Sequence, residues 1–317
     1  MNKLIVYFHA PDEFITHLRN ITNKFKIIIC THQDELESHL PETVILITLF
    51  DPPDAKMIRI ASKLRWIQAL TAGVDFFPLK EIKEQDILLT NGRGIHKIYI
   101  AEYAIAAMIN LARNFHIIFG NQLKARWDRS VPQDEIYGSI VGILGLGSIG
   151  QEIARKASML GMHVIGVRYN PHPLEGVDHV YGPTEMGEVF KQSDYIINLL
   201  PDTPKTRGLI DKTYFALMKK SGCFINLGRG STVNQADLID ALRTKMIRAL
   251  VSDVYEKEPL PEDSLLWQLE NVILTPHIAG VSPKYLQRAM DIIRHNLHVY
   301  VSHSGEMINL VDLNRGY

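Results

Sequence analysis

The chain has 317 residues, of which 46% are apolar and 22% charged, enough for two domains with a full-sized core and without the bias of a disordered or fibrous protein. Lys and Arg total 34 against 35 Asp and Glu, a formal charge of −1, so no basic field is present to draw nucleic acid or anionic lipid, and neither is expected as a partner. The two cysteines, Cys30 and Cys223, both stand inside apolar runs, the pattern of buried thiols rather than of a disulfide, which fits a reducing cytoplasm.

At the N-terminus, MNKLIVYFHAPDE reads as a first strand, because the apolar run meets His9, Pro11, Asp12 and Glu13 before it reaches the length of a signal peptide. Short β-branched runs follow at intervals: LIVYF at 4–8, KIIIC at 26–30, VILIT at 44–48, RWIQAL at 65–70 and ILLT at 87–90. Continuous apolar runs at this spacing suit parallel strands covered on both faces by helices. From Ile98 to about Phe119, apolar residues recur at helical spacing (Ile98, Ala101, Ala104, Ile105, Met108, Leu111, Ala112), which predicts one long helix joining two domains. Its uncharged stretch, Tyr103 to Ala112, is about half of what a bilayer requires, so no membrane span is expected.

A second series of strands runs through IVGILG (140–145), HVIGV (163–167), YIINLL (195–200), CFINL (223–227), ALVSDV (249–254) and VILTP (272–276). The expected fold class is therefore α/β, with two doubly wound parallel-sheet domains. Between Pro283 and Tyr317, AMDIIRHNLHVYV has helical periodicity and is expected to pack back on the first domain.

Gly145, Leu146, Gly147, Ser148, Ile149 and Gly150 spell GxGxxG between the strand IVGIL and the helical segment QEIARKASMLG, which Gly161 closes. The first glycine permits a tight turn, the second lets a pyrophosphate approach the backbone, and the third brings helix and strand together. This is a dinucleotide site. The residue that reads the adenosine ribose should stand at the end of the next strand, where NAD-binding proteins carry Asp or Glu. Here HVIGV runs into Arg168, Tyr169 and Asn170, and the next acids, Glu175 and Asp178, lie beyond Pro171 and Pro173. A cation at this place suits a 2′-phosphate, so NADP(H) is the favoured cofactor; NAD(H) remains possible if Arg168 lies over the adenine or faces solvent.

Ligands collect outside the carboxyl ends of strands in open α/β sheets. Arg229 after CFINLG, Asp253 in LVSDV and His277 after VILTP fall there, and Glu258 follows in the loop after Asp253. An arginine can hold a carboxylate in a forked pair and polarise a carbonyl. A histidine can deliver a proton to the oxygen as hydride reaches carbon, and a carboxylate against its other nitrogen orients the ring and favours its charged form. The set can perform hydride transfer to a 2-oxo acid.

NLGRG at 226–230, DVYEKEPLP at 253–261 and TPHIAG at 275–280, in this order behind GLGSIG, resemble the motifs of the D-isomer-specific 2-hydroxyacid dehydrogenase family over nearly the whole chain. The resemblance implies Arg229 as substrate anchor, His277 as acid and base, Glu258 as its partner, and Asp253 on the nicotinamide carboxamide. LPDTPKTRGLI at 200–210 resembles the loop beside the cofactor, which adds Leu200, Pro201 and Thr206 to the cofactor contacts, and the resemblance at NLGRG adds Leu227. TAGVD at 71–75 resembles the loop whose amides bind the substrate carboxylate, through Ala72 and Gly73. No metal is implied.

The family also implies a discontinuous, flavodoxin-like substrate domain (1–97 with 285–317), a Rossmann cofactor domain (98–284), an active site in the cleft between them, and a homodimer formed through the cofactor domain and the segment around the long helix. NGRGIHKIYIAEY at 91–103 resembles the reductases of glyoxylate, hydroxypyruvate and related 2-oxo acids. The bulky residues before Ala101 depart from the smaller ones common there, and Tyr99 or Ile100 could narrow the nicotinamide end of the cleft. Leu49, Phe50 and Trp127 are candidate pocket residues. Two alternatives stay open: a cofactor-gated binding protein, since the fold also occurs in NADH-sensing corepressors, and an NAD-dependent dehydrogenase of a phosphorylated or aromatic hydroxy acid.

Overall fold

The computed structural model describes residues 2–314; Met1 and residues 315–317, which the sequence assigns to the first domain, lie outside the described residues. The chain forms two compact units, one made of residues up to His96 together with those from Ser282 onward, the other of Lys97–Val281.

In the first unit β1 (Lys3–Tyr7), β2 (Lys26–Cys30), β3 (Thr43–Thr48), β4 (Trp66–Ala69) and β5 (Leu88–Thr90) alternate with α1 (Asp12–Ile21), α2 (Gln33–His39), α3 (Ala55–Ile60) and α4 (Leu79–Glu84). All strands pair in parallel, in the order β2-β1-β3-β4-β5, the flavodoxin-like order. Every residue of β3, TVILIT, is buried, because a central parallel strand is covered on both faces. The last helix of the chain, numbered α11 (Tyr285–Ser302), belongs to this unit. Its Ala289, Met290, Ile293 and Leu297 share a core with Leu4, Phe14, Leu18 and Trp66. A buried polar network anchors it: the Asn296 amide donates to Gln68 Oε1 at 3.1 Å and to the Ile308 carbonyl at 3.1 Å, and the Ile308 N–H donates to Asn296 Oδ1 at 2.8 Å.

The second unit holds β6 (Ile140–Leu144), β7 (His163–Val167), β8 (His179–Tyr181), β9 (Tyr195–Asn198), β10 (Cys223–Asn226), β11 (Ala249–Ser252) and β12 (Val272–Leu274), all parallel, in the order β12-β11-β10-β9-β6-β7-β8. Counted from β6 this is the 3-2-1-4-5-6 order of dinucleotide-binding sheets, with one further strand, and the order reverses between β6 and β9. Its helices are α5 (Lys97–Arg113), α6 (Phe115–Leu123), α7 (Ser148–Met159), α8 (Met186–Gln192), α9 (Lys212–Phe215) and α10 (Gln235–Arg243).

Three details differ from the expectations. β8 is a short edge strand whose HVY lacks the apolar run of the others. The single long helix is two: Asn114 takes φ +48, a left-handed conformation that asparagine tolerates better than most residues, and its side chain donates to the Pro132 carbonyl at 2.8 Å. Ile100 is 8% exposed and part of the core of the second unit, with Tyr99 packed against that core; both are committed to packing within the unit. Both cysteines are buried free thiols, as expected, and burial pushes the Cys30 thiol up to about 11. No described helix is long and apolar enough to cross a membrane.

Candidate active site

The turn after β6 has the construction that its glycines require. Gly145 sits at φ +110, open to glycine alone without strain, and the N–H groups of Gly145 and Leu146 both donate to the Val167 carbonyl at the end of β7 (3.1 and 3.0 Å). A Cβ on Gly150 would lie 2.3 Å from the Gly145 carbonyl oxygen, whereas one on Gly147 would meet nothing. The turn is thus closed on its inner side and open on its outer side. α7 starts there without a side-chain cap, and its first backbone donation is from Gln151 to Gly147. The amides ahead of that bond, at Ser148, Ile149 and Gly150, face the helix N-terminus with its partial positive charge. An open glycine, uncapped amides and a sheet that reverses order beside them fit the pyrophosphate of a dinucleotide.

Arg168 follows β7 directly, and its N–H donates to the Tyr181 carbonyl at 3.0 Å. Among the described residues its guanidinium makes no hydrogen bond or ion pair. Asp178 is turned away from it: the carboxylate accepts from the Val164 N–H at 2.8 Å, at the opposite end of the strand, roughly 13 Å off at 3.3 Å per residue.

β9, β10, β11 and β12 are neighbours in one parallel sheet, so the residues after them gather on one edge. Leu200 and Pro201 begin the loop after β9. In it the Thr206 hydroxyl donates to the Pro201 carbonyl at 2.5 Å and accepts from the Thr203 N–H at 2.9 Å. The Arg207 guanidinium grips Asp202 with two bonds (3.1 and 2.8 Å) and, with Ser231 and Arg229, holds that carboxyl below its usual range against the opposing effect of burial. Thr206 therefore shapes the loop.

After β10, Leu227 is buried, and Arg229 adopts an extended conformation with its Nη1 donating to the Gly228 carbonyl at 3.0 Å. A Cβ on Gly230 would fall 1.9 Å from the Tyr255 carbonyl group, so NLGRG presses directly on the loop after β11. In that loop the Tyr255 N–H donates to Glu258 Oε1 at 3.0 Å, and Glu258 Oε2 lies 2.7 Å from His277 Nδ1. The ring is therefore held through Nδ1, and Nε2 is left for a ligand. The His277 and Glu258 side chains keep 49% and 36% of their surface exposed, so the pair is open to a small molecule.

Asp253 is 2% exposed. Its carboxylate accepts from the Thr275 hydroxyl at 2.6 Å and the Ile278 N–H at 2.9 Å on one oxygen, and from the Ala279 N–H at 2.8 Å on the other. These bonds brace a turn in which His277 takes φ +54, a conformation costing an L-residue roughly 1–2 kcal/mol. The Tyr255 hydroxyl lies 2.9 Å from both the Ser252 and Thr275 carbonyls.

In the first unit, Ala72 and Gly73 follow β4. The Ala72 carbonyl accepts from the Asn91 amide at 2.8 Å, the Gly73 carbonyl from the Thr71 hydroxyl at 2.8 Å, and the Gly92 N–H donates to Thr71 at 2.7 Å. Among the described residues the N–H groups of Ala72 and Gly73 donate no hydrogen bond. Phe50 is 68% exposed and Trp127 91%, so neither lines a pocket of its own unit; Leu49 packs at the edge of the first unit's core.

Several residues that build this edge were given no role by the sequence reading, although most stand in or beside its motifs. Asn198 and Asn226 end β9 and β10; the Asn198 amide donates to Asn226 Oδ1 at 2.9 Å and to the Thr232 hydroxyl at 2.8 Å. The repeated strand-plus-Asn in YIIN and CFIN was their signal. Tyr255, Thr275 and Tyr103 had none, since their partners are set by the fold.

A glycine turn at the reversal of a 3-2-1-4-5-6 sheet, with an acid–base pair along the same edge, defines a dinucleotide-binding protein of the doubly wound class. The chain belongs to the D-isomer specific 2-hydroxyacid dehydrogenase family, whose NAD-binding-domain model matches residues 105–279. It is 33% identical to a D-3-phosphoglycerate dehydrogenase of Methanocaldococcus jannaschii over 92% of this chain, but spans only 56% of that protein. It is 31% identical to a glyoxylate reductase of Korarchaeum cryptofilum over 78% of this chain and 76% of that one. The NADPH-dependent glyoxylate/hydroxypyruvate reductase of Sinorhizobium meliloti, solved with NADP and sulfate, superposes with a TM-score of 0.87 at 26% identity over 100% of both chains.

Proposed function

We propose that the protein reduces small 2-oxo acids of the glyoxylate and hydroxypyruvate type to D-2-hydroxy acids, with NADPH as the favoured donor. The observation that carries this reading is the 2.7 Å pair of His277 and Glu258, on the sheet edge that also bears Arg229 and the glycine turn. When bound, the dinucleotide supplies the hydride. His277 delivers a proton from Nε2 to the developing alkoxide, Glu258 fixes the orientation of the ring, and Arg229 polarises the carbonyl. The free N–H groups of Ala72 and Gly73 suit a carboxylate. Leu200, Pro201 and Leu227 flank the nucleotide side of the same edge.

Support for NADPH comes from the unengaged guanidinium of Arg168 and from the Sinorhizobium neighbour, solved with NADP. Support for a homodimer comes from the second unit: α6 buries none of its residues, and Phe119, Leu123, Trp127 and Tyr137 are 55–91% exposed, apolar surface that a second copy would cover. Two buried free thiols suit the cytoplasm. The archaeal phosphoglycerate dehydrogenase relative gives weight to a phosphorylated substrate as a second reading. Glyoxylate, hydroxypyruvate and 3-phosphohydroxypyruvate, each assayed with NADPH and NADH, separate the two: fastest turnover of the unphosphorylated acids is expected, and turnover of the phosphorylated one alone would replace the proposal.

His277→Ala should lower kcat by about 10²–10⁴ with little change in KM, and Arg229→Lys should also be damaging because an ammonium cannot reproduce the guanidinium fork. Near-wild-type turnover in both would remove this edge from the chemistry. For the cofactor, one charge-assisted bond corresponds to roughly a 10-fold to 150-fold preference. The wild type should favour NADPH by at least the lower figure, and Arg168→Asp should reverse the order by adding an acceptor for the ribose hydroxyl and a repulsion against the phosphate. Specificity constants for both cofactors decide, and a wild-type preference for NADH would overturn the assignment. Sedimentation equilibrium should give the mass of two chains, and Leu123→Glu combined with Trp127→Glu should give one; a wild-type monomer at micromolar concentration would contradict the dimer.

A further inference from the structure

We propose that Tyr103, on α5, is a positioning residue for His277: its hydroxyl, acting through Thr275 and Asp253, holds the turn that presents the imidazole. This rests on the reading of His277 as the proton donor. The Tyr103 hydroxyl lies 2.6 Å from Thr275 Oγ1, and Thr275 Oγ1 lies 2.6 Å from Asp253 Oδ1.

The direction of both bonds follows from the inventory of donors. A carboxylate only accepts, so the single Thr275 proton points at Asp253, and the proton between the two hydroxyls must come from Tyr103. Burial pushes the Tyr103 phenol above its usual range, its bond to Thr275 acting the other way and the Asp253 charge adding to the rise. It is therefore a neutral donor at every pH where the protein would work. The chain of bonds runs one way, Tyr103 to Thr275 to Asp253, with each bond polarising the next.

The anchor at its start is rigid. Ala101, Ala104, Ala107 and Met108 of α5 are buried in the core of the second unit, and the Tyr103 ring packs against that core. The other end is under strain, because His277 stands at φ +54, and the N–H groups of Ile278 and Ala279 both donate to the Asp253 carboxylate. By filling a lone pair on Thr275 Oγ1, Tyr103 selects the rotamer in which the threonine proton meets Asp253. Without that donor, the hydroxyl can turn to another well and the carboxylate loses one of its three ties. Tyr103 is in the sequence IAEYA, 172 residues from Thr275, at the end of NGRGIHKIYIAEY, where the resemblance gives it no role.

The test uses Tyr103→Phe, which keeps the ring, with Thr275→Val and Thr275→Ser, which remove and retain the hydroxyl. In the protein without cofactor, amide hydrogen exchange at Ile278 and Ala279 should quicken about threefold to tenfold in Tyr103→Phe and at least as much in Thr275→Val. It should stay at the wild-type rate in Thr275→Ser, and the Gln151 amide of α7 should not change in any of them. With the best 2-oxo acid, kcat should fall by a similar factor in Tyr103→Phe while KM for the cofactor holds. In a His277→Ala background Tyr103→Phe should cost nothing more. Unchanged exchange at Ile278 and Ala279, or an equal loss of kcat with and without His277, would overturn the proposal. If His277→Ala itself left turnover intact, the proton-donor reading would fall, and the exchange data would still judge whether Tyr103 holds the turn.

Discussion

The candidate site depends on one buried carboxylate. Asp253 is 2% exposed, and a charge so placed is tolerated only when its lone pairs are filled. The fillers are a hydroxyl and two amides from a turn 22–26 residues further along the chain. The requirement acts in both directions: Asp253 needs those donors, and the turn needs Asp253 because His277 sits in a left-handed conformation that its own sequence does not favour. A hydrogen bond to a charged group generally contributes about 1.5–3 kcal/mol, so the turn and the carboxylate stabilise one another.

Around that anchor the sheet supplies alignment. β10, β11 and β12 run in parallel and in register, so residues just past each strand arrive on one edge whatever the loops do. Gly230 lets the loop after β10 press on Tyr255, and the Tyr255 N–H in turn fixes Glu258. A chain of contacts thus leads from the backbone of NLGRG to the imidazole, and the glycine turn occupies the same edge because β6 lies in the same sheet. The chemistry is assembled from strand ends, and the helices behind them keep those ends still.

Much of this was legible in the sequence, and the limits have physical causes. Runs such as VILIT and CFIN announce buried parallel strands because both faces are covered, and GLGSIG is readable because a turn, an anion and a helix start demand those glycines locally. His277 and Glu258 stand out as charged residues after strand-like runs. By contrast, β8 is a three-residue edge strand with too little apolar sequence to show periodicity. The break at Asn114 hangs on one backbone angle within an unbroken apolar stripe. The resemblance places Asp253 at the cofactor, but its partners within the unit, two backbone amides and a threonine, could not be read because amides carry no sequence signal. Tyr103 was invisible for the same reason, since its partner is chosen by the packing of α5.

The central claim is that Glu258 acts on the reaction by holding His277, and the reduction rate in wild type, Glu258→Gln, His277→Ala and the double variant tests it most directly. Glu258 Oε2 lies 2.7 Å from His277 Nδ1, and losing a bond of this kind is worth about a tenfold change or more. Glu258→Gln should therefore lower kcat by about that factor when His277 is present and should cost nothing further in the His277→Ala background. Unchanged turnover in Glu258→Gln, or an equal loss with and without His277, would contradict the account.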